Sequence, residues 1–265
     1  MTEDRVTCQL GDDGVAQVRL NRADKLNALD PAMFNAIVEM GERLRNMKGL
    51  RAVVLAGEGR AFCAGLDLGS MAAGGSNPDA KLADRTHGNA NRAQEAAMTW
   101  RKCPVPVVAA VQGICFGGGL QIASGADIRV VHPETRMAVM EMRWGLVPDM
   151  GGYALWRTLV RGDVLRELTY SNREFTGREA KQIGLATFVE DDPLARATAI
   201  ATEIANRNPE AIRGAKRLFD VMENEATDAI LLAESREQDA VMRKPNQVEA
   251  VMAGMQKRAP NFTDV

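Results

Sequence analysis

The order of hydrophobic and polar positions first becomes regular near the N-terminus. Apolar and polar side chains alternate through Val15–Leu20, as in a strand with one buried face. Residues 11–14 read Gly-Asp-Asp-Gly, which is typical of a turn, so a β-hairpin is predicted here. Two later apolar runs, residues 53–55 and Val107–Val111, contain no polar position, and each leads into a turn that contains glycine. They predict fully buried strands.

A helix is predicted to follow the hairpin. Asp30 is a typical N-cap residue, and Pro31 stands at the first helical position, where a missing N–H costs nothing. Four apolar side chains then recur at helical spacing and must face a sheet: Met33, Ile37, Met40 and Leu44. Strands and helices that alternate in this way indicate a mixed α/β core.

The pattern changes twice further along the chain. Residues 70–79 are rich in Gly, Ala, Ser, Asn and Pro, so a mobile loop is expected there, followed by a polar helix towards Trp100. From Pro193 onward the pattern is helical, over residues 195–206, 209–222, 227–243 and 247–255. A core over residues 1–194 and a helical region over 195–265 are therefore predicted.

Composition and charge narrow the possible functions. Apolar residues make up 46% and charged residues 26% of the 265, as in an ordinary globular protein. A net charge of −2 and a pI near 5.9 give no general attraction to nucleic acid or to an anionic membrane. No apolar run approaches the roughly 20 residues that cross a bilayer, and residues 1–5 do not resemble a signal peptide, so a cytoplasmic location is expected.

Two glycine-bearing loops follow the buried strands, where α/β proteins often place ligands. They span residues 60–68 and 113–121. Three consecutive glycines at 117–119 open a helix, and their unobstructed N–H groups could hold an anion or an oxyanion. Close packing of a strand against a helix would also explain these glycines. Phosphate binding is disfavoured, because neither GxxxxGK[ST] nor GxGxxG is present.

The segments AFCAGLDL, GICFGGGLQIASGADI and MEMRWGLVPDMGG occur in the order and spacing of one family. By them the chain resembles the enoyl-CoA hydratase/isomerase (crotonase) superfamily over most of its length. The resemblance implies an α/β spiral of ββα units whose C-terminal helical region, part of the same family domain, forms trimers that often pair into hexamers. It also implies a role in fatty-acid metabolism, an acyl-CoA thioester substrate, and no metal or redox cofactor.

The resemblance also assigns site residues. The backbone N–H groups of Leu66 and Gly118 would form an oxyanion hole for the thioester oxygen, each donor lowering the barrier by on the order of 3 kcal/mol. Glu141 would be the main acid/base. Hydratases of the family carry a second glutamate where this chain has Gln121, and an amide accepts no proton at neutral pH. Asp149 matches the catalytic aspartate of the dienoyl-CoA isomerases.

Coenzyme A carries several phosphate charges that need partners. The resemblance places its nucleotide end near Arg22 and Lys25, with Ala64 in the binding loop. Lys257 and Arg258 would contact the 3′-phosphate of a ligand bound to a neighbouring subunit. Proton-transfer isomerisation of an unsaturated acyl-CoA by Glu141 and Asp149 is the favoured hypothesis.

Two alternatives stay open. The chain could be a hydratase that uses Glu141, with Gln121 or Asp149 positioning the water. It could also be a non-catalytic protein that binds CoA thioesters or RNA, although the acidic pI disfavours RNA.

Other reactive residues lack the pattern that their chemistry needs. His87 and His132 have no metal-site spacing, and no G-x-S-x-G elbow supplies a serine nucleophile. The four cysteines, Cys8, Cys63, Cys103 and Cys115, are expected to be reduced packing residues.

Overall fold

The computed structural model describes residues 4–72, 82–225 and 227–265. Residues 70–72 of the predicted mobile loop belong to this part, and residues 73–79 lie outside it. The nine strands, in chain order, are β1 Val6–Leu10, β2 Val15–Leu20, β3 Ala52–Gly57, β4 Val107–Val111, β5 Ile114–Phe116, β6 Ile128–Val131, β7 Arg136–Ala138, β8 Phe175–Thr176 and β9 Phe188–Val189. The number of strands and their bounds refer to these described ranges.

Eleven α-helices lie in the same ranges. In chain order they are α1 Pro31–Arg45, α2 Leu68–Ala72, α3 Arg92–Arg101, α4 Gly118–Gly125, α5 Gly152–Trp156, α6 Gly162–Ser171, α7 Gly177–Ile183, α8 Pro193–Ala205, α9 Pro209–Asn224, α10 Thr227–Val241 and α11 Pro245–Gln256. Two short 3-10 helices cover Ala23–Lys25 and Glu141–Trp144. None of the described helices is long and apolar enough to cross a bilayer.

Six strands form the main sheet in the order β1-β2-β3-β4-β6-β9. The pair β1 and β2 is antiparallel, which confirms the predicted hairpin, and the other neighbours are parallel. Strands β3 and β4 are buried at every position, because helices cover both faces of the sheet. A second, three-stranded sheet has the order β5-β7-β8 and continues from the edge where β4 ends.

The predicted first helix is confirmed in its cap and in its buried face. The Asp30 carboxylate accepts a hydrogen bond from the Met33 N–H at 2.7 Å, so it satisfies a donor that has no partner within the helix. The predicted stripe is buried: Met33, Ile37, Met40 and Leu44. It forms part of the larger core, which lies between the main sheet and helices α1, α3 and α4.

The C-terminal helices are confirmed, with bounds within a few residues of those predicted. The predicted boundary after residue 194 falls inside α8. This helix packs on the second face of the main sheet, where Ala197 and Ala201 join Val54, Val108 and Val130 in a smaller core. The division into residues 1–194 and 195–265 stays a prediction.

Candidate active site

The two glycine-bearing loops lie side by side at the carboxyl ends of β3 and β4. The Phe62 N–H donates to the Gln112 carbonyl at 2.9 Å, and the Cys63 N–H donates to the Ile114 carbonyl at 3.0 Å. In return, the Phe116 N–H donates to the Cys63 carbonyl at 3.0 Å. These backbone bonds hold the loops in one register, so the peptide groups that follow each strand face a common space.

Glycine is required where the loops approach most closely. A Cβ on Gly119 would lie 2.4 Å from the Cys63 carbonyl oxygen, and one on Gly65 would lie 2.7 Å from the Phe116 carbonyl oxygen. Gly65 and Gly117 also have φ angles of +86° and +49°, which other residues rarely adopt. The close-packing explanation of the glycines is therefore correct for Gly119, and it is compatible with a binding role for the loop.

The two N–H groups expected to hold an oxyanion donate to no other described residue. Leu66 forms a parallel bridge with Leu29, in which Gly65 accepts from Leu29 and Asp67 donates to Leu29. Alternate peptide groups of an extended segment point to opposite sides, so the Leu66 N–H faces away from Leu29. The Gly118 N–H begins α4 and has no partner within the helix. Both residues line one cavity.

The cavity has a volume of about 570 Å³ and a mainly apolar wall. Its lining includes Phe34, Phe116, Met140, Trp144, Leu146 and Val147. Trp144 is 50% exposed and Val147 is 62% exposed, so the apolar wall continues to the surface. A cavity of this size and character suits a flexible acyl chain whose reacting end meets a few polar groups.

Glu141 lies in this cavity, in the 3-10 helix Glu141–Trp144. Its Oε1 accepts a hydrogen bond from Nε2 of Gln121 at 2.6 Å, and its buried Oε2 has no well-oriented donor. Burial raises the pKa of Glu141 against the opposing effect of nearby backbone donors and the Gln121 amide, and the charge of Asp149 raises it further. A carboxylate with a raised pKa is a stronger base, and Oε2 is the oxygen left to accept a proton.

Gln121 lies behind Glu141 and does not line the cavity. Its side chain is 1% exposed. Its Oε1 accepts hydrogen bonds from the backbone N–H groups of Met150 and Gly152, both at 2.9 Å, so its Nε2 must face Glu141. In the hydratase alternative Gln121 would position a water, whereas these hydrogen bonds make its side chain a clamp between two segments of the chain. It joins the Glu141 carboxylate to the segment that carries Asp149.

Asp149 lies in the cavity wall and keeps access to solvent. The chain reverses between the two acids through Gly145, whose φ is +68°, and the Leu146 N–H donates to the Glu141 carbonyl at 3.1 Å. This turn brings Asp149 back to the cavity that holds Glu141. Desolvation by the surrounding protein raises the pKa of Asp149, which favours its proton-bearing form. The site thus contains two carboxyl groups that both bind protons more tightly than usual.

Three charged cavity residues had not been selected from the sequence. Arg136 and Glu174 form a bidentate ion pair with distances of 2.7 and 2.8 Å, and the guanidinium lies 5.5 Å from the centre of the Phe116 ring. Arg143 lies 5.7 Å from the centre of the Trp144 ring. Arg136 and Glu174 are 38 positions apart, so only the antiparallel pairing of β7 with β8 brings them together. No local sequence pattern carries that signal.

Of the residues predicted to bind coenzyme A, Ala64 lines the cavity, and Lys25 is exposed in the short helix Ala23–Lys25. Arg22 is occupied by protein groups, since its guanidinium pairs with Asp67 at 2.7 Å and with Asp30 at 3.5 Å.

The other two predicted residues lie away from the cavity. Lys257 and Arg258 are exposed at the end of α11, and neither lines the cavity of its own chain. Arg258 forms an ion pair with Glu249 at 2.6 Å. Their contact with a ligand of a neighbouring subunit stays a prediction.

The cysteines near the site are not thiolates. Cys63 and Cys115 are fully buried and unbonded, and burial raises the pKa of Cys63 to about 12 and that of Cys115 well above its usual value. Cys8 and Cys103 are unbonded as well. Across the described ranges, no group of three or more His, Cys, Asp or Glu side chains is arranged to hold a metal ion.

Comparison with known proteins gives consistent matches. A family model described as enoyl-CoA hydratase/isomerase matches residues 11–265. The mitochondrial Delta(3,5)-Delta(2,4)-dienoyl-CoA isomerase of Mus musculus is 30% identical over 252 residues, which cover 92% of this chain and 77% of the relative. Enoyl-CoA hydratase EchA19 of Mycobacterium tuberculosis is 31% identical over 250 residues, covering 92% and 91% of the two chains.

Solved structures show the same fold. The crystal structure of an enoyl-CoA hydratase from Bacillus anthracis has a TM-score of 0.88 and 26% identity, and the match covers 97% of this chain and 98% of the other. The enoyl-CoA hydratase of Mycobacterium smegmatis has a TM-score of 0.84 and 27% identity, with 98% and 99% of the chains covered.

Proposed function

The chain belongs to the enoyl-CoA hydratase/isomerase family, and we propose that it moves a double bond in an unsaturated acyl-CoA by proton transfer through an enolate. The fold is that of the crotonase superfamily, as the sequence motifs predicted. In this proposal the acyl chain occupies the apolar cavity and the thioester oxygen lies between the N–H groups of Leu66 and Gly118. Family membership and the names of the relatives support a role in fatty-acid metabolism.

The reaction proceeds in two proton transfers. Oε2 of Glu141 takes a proton from carbon 2, and the C–H electron pair moves into an enolate whose oxygen accepts from Leu66 and Gly118. These donors stabilise charge that develops only during the reaction, which is where binding lowers a barrier. A proton is then delivered to a carbon further along the conjugated system by Asp149, whose carboxyl group lies in the same cavity and whose pKa is raised by desolvation. No metal or redox cofactor is needed.

One observation carries the choice of isomerisation over hydration. Where family hydratases place a second glutamate, this chain has Gln121, whose buried oxygen is held by two backbone N–H groups and whose amide nitrogen faces Glu141. Such a group neither accepts a proton nor reaches a water in the cavity. Glu174, a further acid of the cavity, has both oxygens bonded to Arg136, so Asp149 is the second carboxyl group left for proton transfer. A dienoyl-CoA isomerase is among the relatives at 30% identity.

Hydration of a 2-enoyl-CoA is the second candidate. It is supported by relatives and solved structures that are named enoyl-CoA hydratase, and by the solvent access of Asp149, which could hold a water opposite Glu141. A panel of 2-enoyl-, 3-enoyl- and 3,5-dienoyl-CoA thioesters separates the two activities. Turnover of a 3-enoyl or 3,5-dienoyl substrate without hydration is expected, and hydration alone would overturn the proposal.

We also propose that the protein assembles as a trimer or hexamer, as the resemblance implied. Helices α9 to α11 expose many large apolar side chains that a single chain leaves in water. They include Phe219, Met222, Leu231, Leu232, Val251 and Met255. Ile204 and Ile212, also in the C-terminal helical region, are only partly exposed, and Ile204 packs on the main sheet. A cytoplasmic location stays a prediction.

A further inference from the structure

The segment of residues 22–30 runs beside the loop that carries Leu66. The Ala64 N–H donates to the Leu26 carbonyl at 2.9 Å, the Leu29 N–H donates to the Gly65 carbonyl at 2.8 Å, and the Asp67 N–H donates to the Leu29 carbonyl at 3.0 Å. The peptide groups before and after Leu66 are therefore tied to this segment.

Arg22 joins the same two segments through its side chain. One guanidinium nitrogen, Nη1, donates to Oδ2 of Asp67 at 2.7 Å and to the Ala28 carbonyl at 3.1 Å. The other, Nη2, lies 3.5 Å from the Asp30 carboxylate, which caps α1. The side chain is only 12% exposed, and its charge lies between two carboxylates. Little of the guanidinium remains to meet a phosphate group.

Asp67 is held on both of its oxygens. Oδ2 pairs with Arg22, and Oδ1 accepts from the N–H groups of Gly69 and Ser70 at 3.1 and 3.2 Å, where α2 begins. The hydrogen bond from Arg22 lowers the pKa of Asp67, as expected for a carboxylate that stays ionised. Because Asp67 directly follows Leu66, this arrangement restrains the position of Leu66, whose N–H faces away from Leu29.

We propose that Arg22 is a positioning residue that, through Asp67, fixes the Leu66 N–H where the enolate oxygen forms, and does not bind the phosphates of coenzyme A. An oxyanion donor works only when its position is set before charge develops, because reorganisation during the reaction would cost what the bond contributes. A misplacement of about 1 Å can cost about 10²-fold in rate. This inference rests on the proposed oxyanion hole.

The test measures enolate stabilisation without any assumption about the natural substrate. Acetoacetyl-CoA forms an enolate that absorbs in the ultraviolet, so a pH titration of the bound ligand reports the pKa of its carbon acid, while butyryl-CoA reports binding of an uncharged thioester. The variants are Arg22→Gln, Arg22→Lys and Asp67→Asn. Arg5→Gln is the matched control, because Arg5 pairs with Asp30 at 2.8 Å but makes no ion pair with Asp67.

The wild type should lower the pKa of bound acetoacetyl-CoA below that of the free ligand. Arg22→Gln and Asp67→Asn should each raise it by about one unit, a tenfold loss of enolate stabilisation, while butyryl-CoA affinity changes less. Arg22→Lys, which keeps the charge without the planar fork, should lie in between. The double variant Arg22→Gln/Asp67→Asn should lose no more than either single variant, because both residues act through one contact.

Acetoacetyl-pantetheine, which lacks the nucleotide phosphates, separates positioning from phosphate binding. The effect of Arg22→Gln should persist with this ligand, and its disappearance would assign Arg22 to phosphate binding and overturn the inference. Unchanged enolate pKa values in Arg22→Gln and Asp67→Asn would also overturn it. Should Arg22→Gln fail to fold, Asp67→Asn carries the same test, because asparagine keeps the acceptor for Gly69 and Ser70. A wild type without enolate stabilisation would instead refute the oxyanion hole itself.

Discussion

Replacing Gln121 by glutamate would exchange its amide nitrogen for an oxygen and add a negative charge beside Glu141. The new carboxylate keeps an oxygen for the Met150 and Gly152 N–H groups, which now lie 2.9 Å from the amide oxygen. Its second oxygen then replaces the amide nitrogen that donates to Glu141 at 2.6 Å. A favourable hydrogen bond becomes a contact between two carboxylates. They can approach this closely only when they share one proton.

Coulomb's law gives the size of the repulsion between the carboxylate of Glu141 and the one introduced at position 121. Two carboxylates with charge centres about 4 Å apart repel by about 4 kcal/mol at an effective dielectric constant of about 20, which equals about 3 pKa units. Burial already raises the pKa of Glu141, so the pair would carry a single negative charge at neutral pH. The shared proton lies on or near the base, and we expect isomerisation at pH 7 to fall at least about tenfold. The acidic limb of the pH profile should move to higher pH.

Gln121→Glu should also lower the free energy of unfolding as pH rises. The folded pair binds a proton more tightly than the unfolded chain, so its contribution to the free energy of unfolding falls as pH rises. The difference in melting temperature between wild type and Gln121→Glu should widen from pH 5 to pH 8. Gln17→Glu is the control, because it adds the same charge on β2 and keeps the oxygen that accepts from Arg19 at 3.0 Å.

The assay compares hydration of a short 2-enoyl-CoA with isomerisation of 3-enoyl- and 3,5-dienoyl-CoA in both proteins. A weak hydratase would gain from the restored carboxylate, since general-base catalysis typically contributes 10²- to 10⁴-fold. A gain of that size in hydration would refute the clamp role of Gln121, and strong hydration without isomerisation by the wild type would refute the proposed reaction. Unchanged isomerisation at pH 7 would refute the charge calculation.

Glu141→Gln should lower turnover by at least about 10²-fold while thioester binding survives. It should also raise the melting temperature at neutral pH, because burial of the ionised Glu141 carboxylate costs stability. This gain should vanish below the ordinary pKa of 4.5, where the carboxyl group is neutral in both folded and unfolded chains. Asp149→Asn should block isomerisation but retain deuterium exchange at carbon 2, as followed by NMR. Light scattering should give three or six chains, and Leu231→Asp with Leu232→Asp should release monomers; a monomeric wild type would contradict the assembly.

Much of the molecule could be predicted from local patterns. The alternation at Val15–Leu20 and the cap at Asp30 each act within a few positions of themselves, so short-range sterics and hydrogen bonding determine their structure. The family motifs then indicated Glu141, and the structure places it in the cavity with Asp149.

Tertiary structure alone decided which partner each polar side chain meets. Gln121 faces Glu141 because Met150 and Gly152, about 30 positions away, hold its oxygen. Arg22 meets Asp67, 45 positions away, because two backbone segments run side by side. The sequence shows that these residues are polar, but a hydrogen bond depends on distance and direction. Those are set by how the strands and helices pack, which no local pattern encodes.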